Sequence, residues 1–185
     1  PNGEEVITVT PVSNQIHDTA GNIASSSQNN NFATLNDKLV PTISSVSIAT
    51  NNITIAVTIS EVVYSTSGGS GSLEVSDFSF TMTGGSATLS STTPTSISVS
   101  EKVYTLGLGL TGTPNGNETL TVNPLDDSIY DAGGNEASTS QSNNTAKLKV
   151  IGQYIATDLS VEGDRINVSS IEINDSATIQ DLNIE

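Results

Sequence analysis

Cysteine and tryptophan are absent from the 185 residues, methionine and histidine occur once each, and only five side chains are basic. Each shortage closes a route. Without cysteine there is no disulfide framework and no thiolate chemistry, and a single histidine cannot build a zinc site or a Cys/His nucleophile. The five basic residues (Lys38, Lys102, Lys147, Lys149 and Arg165) face 20 acidic ones, for a formal net charge of −15. Nucleic acid is therefore not an expected partner, because its binding depends on Lys and Arg neutralising phosphates. No apolar run approaches the roughly 20 residues of a membrane-spanning helix, so no membrane insertion is expected. Aromatics make up 4% and hydrophobics 34% of the chain. The core must then be thin and built from Val, Ile and Leu.

Ser, Thr, Asn and Gly fill the remainder, which favours short strands and turns over helices. The apolar residues alternate within short runs: ITIAVTI (Ile53–Ile59), FSFTM (Phe78–Met82) and VYTLGLGL (Val103–Leu110). Period two marks a strand with one buried face. Further strands are expected at Thr42–Ile48, Val62–Tyr64, Ser76–Met82 (the run that holds FSFTM), Ala87–Leu89, Ser96–Ser100, Glu118–Val122 and Ala146–Val150. SGGSGS, TGGS and TPNGN between them are turn chemistry. Seven to nine short strands at this spacing predict an all-β chain with a two-sheet antiparallel sandwich.

Residues Pro1–Leu35 and Pro114–Leu148 align without a gap at a constant offset of 113, with 19 of 35 positions identical. Such a repeat identifies a recurring module. Three parts are expected: 1–39 as the C-terminal part of a preceding repeat, 40–150 as one complete sandwich, and 151–185 as a β-rich segment. Pro1 falls inside a repeat, so the chain is expected to belong to something longer.

The last part reads as dyads of alternating apolar residues: Leu159/Val161, Ile166/Val168, Ile171/Ile173, Ala177/Ile179 and Leu182/Ile184. A three-residue strand cannot bury its apolar face alone. The near-hexad period therefore predicts a β-helix or a trimeric stalk, where rungs or neighbouring chains complete the core.

The Ser60-Glu61-Val62 element after the second strand, with the D-x-x-G-N turn at Asp131–Asn135 and again at Asp18–Asn22, resembles tandem immunoglobulin-like repeats of large bacterial and phage surface proteins. SVEGDRINV and SATIQDLNIE resemble shaft segments of viral fibres. The resemblance implies an immunoglobulin-like sandwich used for spacing, display or adhesion, since such sandwiches host many roles.

Few residues point to chemistry. In DAGGN (Asp131–Asn135) the Asp and Asn side chains can bond their own backbone while Gly133 and Gly134 supply positive φ. With Asp126 and Asp127 nearby, Asp131 and Asn135 form a candidate calcium site of oxygen ligands. Against it, the first copy carries Ser13 and Asn14 in place of Asp126 and Asp127, and the order of an EF-hand loop is missing. A calcium ion at the junction between modules is equally open. His17 aligns with Tyr130, which cannot replace a general base, so a half-buried ring at a strand end is expected. No pair of carboxylates stands out for glycoside hydrolysis, and the aromatics fit core and corner positions better than a sugar-stacking platform. Lys102, well inside the module, is the one candidate for an isopeptide crosslink promoted by Glu61.

The expected function is non-catalytic: a structural module of a virion-associated fibre or appendage that spans distance and supports host attachment. A bacterial surface adhesin or filament is the alternative, and an accessory carbohydrate-binding module a third. The implied location is extracellular, on a virion or bacterial cell surface. The implied partners are copies of the chain (a trimer through the tail), other subunits of the assembly, and a host receptor or glycan.

Overall fold

In the computed structural model the described residues are 1–150, together with the backbone of 154–162 and 165–173. Every regular element but one single turn is a strand. In chain order they are β1 (Val6–Thr8), β2 (Phe32–Thr34), β3 (Ile43–Ile48), β4 (Thr54–Ile59), β5 (Phe78–Thr83), β6 (Thr88–Leu89), β7 (Ile97–Ser100), β8 (Val103–Gly107), β9 (Leu110–Thr111), β10 (Thr119–Pro124), β11 (Thr145–Lys147), β12 (Tyr154–Glu162) and β13 (Arg165–Ile173). One 3-10 turn, Val75–Asp77, leads into β5.

The central part is a sandwich of antiparallel sheets. Four strands in the order β3-β4-β8-β7 form one sheet, and β11-β10-β5 form the other. The alternation seen in the sequence sets the packing: Ile55, Val57 and Ile59 of β4 are buried, as are Leu120, Val122 and Pro124 of β10, while the residues between them are half-buried. Phe78 and Phe80 of β5 and Leu106 of β8 fill the space between the sheets. The Phe78 and Tyr104 rings meet at 6.1 Å and 46°, a tilted contact that adds to burial worth about 1.5–3 kcal/mol per large side chain.

The strands largely follow expectation, with two differences inside the sandwich. Val62–Tyr64 makes no strand, only a bridge from Tyr64 to Tyr130. VYTLGLGL is not one strand but two, because the chain crosses between sheets at Gly107–Gly109: β8 pairs with β4 and β7, whereas β9 pairs with β6. A Cβ on Gly107 would collide with the Ser96 and Thr95 side chains, so the crossing needs glycine. Alternation alone carries no sign of it.

Asn52 closes the β3–β4 turn with φ at 57° and is buried. Its Nδ2 donates to the Lys149 carbonyl at 2.7 Å, and its Oδ1 accepts from the Lys149 amide at 2.8 Å. This one asparagine stitches one sheet's turn to the segment that leaves the other.

The first 35 residues fold as an antiparallel hairpin, β1 with β2, the counterpart of β10 with β11. The tail differs from the expected rungs of three-residue strands. β12 and β13 are nine residues each and pair along their length, from Tyr154 opposite Ile173 to Glu162 opposite Arg165. The expected dyads Ala177/Ile179 and Leu182/Ile184 lie outside the described residues.

Candidate functional site

The repeat is reproduced at the level of single hydrogen bonds. Asp131 accepts from the Asn135 amide and Nδ2, both at 2.8 Å, and Asp18 accepts from the Asn22 amide and Nδ2, both at 2.8 Å. Asn144 Nδ2 donates to the Val122 carbonyl at 2.9 Å, and Asn31 Nδ2 donates to Val9 at 2.6 Å. Asn14 and Asp127 both hold positive φ, 62° and 54°. That explains why Asn and Asp exchange at this position: both tolerate the left-handed region that the turn requires. Of the two turn glycines, only Gly134 has positive φ. Gly133 sits in a tight space instead, since a Cβ there would lie 3.0 Å from Asp37 Cβ.

Burial separates the two units. Leu120, Val122 and Ile129 are each 0% exposed, whereas their counterparts Ile7, Val9 and Ile16 are 51%, 67% and 52% exposed. Asp131 is buried and Asp18 is exposed. The hydrogen bonds from Asn22 outweigh the slight desolvation and lower the Asp18 carboxyl below its usual range.

Glu118 marks the same contrast more sharply. Its carboxylate accepts backbone N–H bonds from Ser86 (2.8 Å), Ala87 (3.1 Å), Asn115 (3.1 Å) and Gly116 (3.0 Å). Gly85, with φ at 65°, lines the cradle, and a Cβ there would collide with the carboxyl. Burial by itself would raise the Glu118 pKa, but donors from Ala87, its own backbone, Asn115 and Ser86 outweigh it and hold the group at about 2. Its counterpart Glu5 keeps only the bonds from the Asn2 amide, at 3.0 and 3.2 Å.

The expected calcium residues do not gather as one set. Asp126 and Asp127 are exposed. The Asp127 amide donates to Glu136 at 2.6 Å, and its carboxylate accepts from the Tyr130 hydroxyl at 3.2 Å. Asp131 is brought together instead with Asp37 of the linker and Glu61 after β4, with one carboxylate oxygen from each within 4.8 Å of the others. Two oxygens bound to one calcium at about 2.4 Å can be no farther apart than that, so the spacing is compatible with a shared divalent ion. Both Asp131 oxygens already accept from Asn135, however, and three carboxylates fall short of the six to eight ligands calcium takes. Sequence reasoning considered an ion at the junction without identifying Asp37 or Glu61 as its ligands, because they come from separate segments.

Crowding has a cost at this junction. Burial raises the Glu61 carboxyl, Asp131 and Asp37 raise it further, and Lys102 opposes them. A group raised on folding weakens the fold while charged and ceases to do so as pH falls through its folded value. Glu61→Gln is expected to stabilise the chain at neutral pH by up to about 1 kcal/mol after solvent screening. The gain should vanish in acid, as thermal unfolding at both pH values will show.

The remaining candidates fall into structural roles. Lys102 is exposed and donates from Nζ to the Ser60 carbonyl at 3.0 Å. His17 is exposed, not half-buried, and bridges to Ile23. The hairpin lacks the cover that half-buries Tyr130. Phe78, Phe80 and Tyr104 are core residues, Tyr64 and Tyr130 are half-buried, and Phe32 of the first hairpin is 62% exposed.

Comparison with protein-family models, curated proteins and solved structures finds no match to this chain. No helix among the described residues is long and apolar enough to cross a membrane.

Proposed function

We propose that the chain is a stretch of a tandem array of immunoglobulin-like modules, a non-catalytic structural element of a virion-associated fibre or appendage that spans distance and supports host attachment. The observation that carries this reading is the recurrence of one hairpin unit, with its turn and cap hydrogen bonds, at residues 1–35 and again at 114–148. A catalytic centre would concentrate its distinctive side chains in one copy, whereas these polar groups recur and serve turns. The tail fits the fibre reading. The β12–β13 register sets Leu159 opposite Val168, Val161 opposite Ile166 and Ala156 opposite Ile171 in a two-stranded ribbon. A two-stranded ribbon is marginal on its own, and neighbouring copies in a trimer would complete it.

The second reading, a bacterial adhesin or surface filament stiffened by calcium, draws on the Asp37, Glu61 and Asp131 carboxylates where linker and module meet. Light scattering with calcium and with chelator separates the two. The fibre predicts a trimer indifferent to chelator, while the adhesin predicts a monomer whose thermal stability falls when calcium is removed. A monomer indifferent to calcium would defeat both.

A further inference from the structure

The described residues contain two hairpins of one kind but only one set of elements that covers such a hairpin. Residues 114–148 are covered by β5, which pairs with β10 so that Leu120 lies opposite Met82 and Val122 opposite Phe80. The Ser86–Ala87 loop supplies two of the donors to Glu118, and Tyr64 bridges Tyr130 through two backbone bonds of 2.7 and 2.9 Å. On residues 1–35 the strand edge equivalent to the one β5 occupies is unpaired. Glu5 lacks the two loop donors, and Ile7, Val9 and Ile16 are exposed.

We infer that the open face of the first hairpin is a docking surface for a polypeptide segment patterned like residues 41–113, led by a strand like β5. The inference deepens the tandem-array reading and rests on it. Chemical complementarity is retained where it counts. Ile7, Val9 and Ile16 are apolar like their buried counterparts, and Glu5 keeps the carboxylate that would accept two further amides. Transposing the β10–β5 register places Ile7 opposite the Met82 position of the incoming strand and Val9 opposite its Phe80 position. A second copy of the chain does not solve the problem by exchange. Each copy brings one covering half and two hairpins, so however copies swap, one hairpin per chain stays open. The occupant is therefore an additional half-sandwich, bound by strand addition at the β1 edge and by burial of the apolar face.

The test is the full chain carrying an extra copy of residues 40–113 ahead of Pro1, which recreates the Thr113–Pro114 join as Thr113–Pro1. Amide hydrogen exchange at Val6–Val9 is expected to slow by at least about a hundredfold against the parent chain, towards that of Thr119–Val122. Ile7→Asp in the extended chain should abolish the slowing and leave Thr119–Val122 unchanged. Exchange at Val6–Val9 that is the same with and without the extra segment would overturn the inference. So would slow exchange in the parent chain that appears only as its mass doubles, since a second copy would then occupy the face. A failure here leaves the trimer measurement untouched, and a monomer there leaves this result untouched.

Discussion

Glu118→Ala is expected to lower the unfolding free energy by about 3 kcal/mol or more, while Glu5→Ala, the same change in the twin unit, should cost less than about 0.5 kcal/mol. Glu118 is 0% exposed, and removing its carboxylate strands the amides of Ser86, Ala87, Asn115 and Gly116, of which Ala87 is buried and the others lie in partly buried bonds. Each unsatisfied buried donor costs about 1–3 kcal/mol, and bonds to a charged acceptor are worth more than neutral ones. The carboxylate lies under two loops, close beneath the surface, so some of those amides will recover water, which keeps the figure near the lower end of their sum. Glu5 is exposed, and water replaces it at the Asn2 amide. Urea unfolding of both variants checks the pair; equal effects would show that the cradle does not hold the fold. The same group governs acid behaviour. Its folded pKa of about 2 lies below the usual value of 4.5, so its contribution is present above the unfolded pKa and is lost as pH falls from there towards 2. Glu118→Gln should show a flatter loss of stability across that window.

Leu120→Ala is expected to cost 2–5 kcal/mol, the span of large-to-small changes at fully buried sites, against roughly zero for Ile7→Ala. Leu120 sits between the sheets at 0% exposure, and the packed surroundings collapse only in part around a lost side chain. Ile7 occupies the same place in its hairpin at 51% exposure, so truncating it leaves no cavity. If Ile7→Ala proved as costly as Leu120→Ala in urea, the first hairpin would already be covered in solution.

These paired positions show what is local and what is not. β4 and β10 were legible because period two is written in consecutive residues. So was the Asp131–Asn135 turn, whose partners lie four positions apart. The break at Gly107–Gly109 was hidden inside an unbroken alternation, since the pressure for it comes from Thr95 and Ser96 across the sheet. The tail misled in the opposite direction. Its dyads looked like separate rungs, yet β12 and β13 run through the polar residues between them, because ladder hydrogen bonds are indifferent to side chains.

By itself the sequence determined the all-β class, the places of most sandwich strands, the repeat and its turns, all of which follow from patterns and bonds among near neighbours. Tertiary structure alone decided which copy of the repeat is buried, that Glu118 is a clamp rather than a surface charge, and that Asp131 meets Asp37 and Glu61. Donors 31 and 32 residues away and carboxylates from three separate segments leave no local trace. Burial belongs to whatever covers a face, and two 35-residue units of one pattern, covered once and open once, take both values.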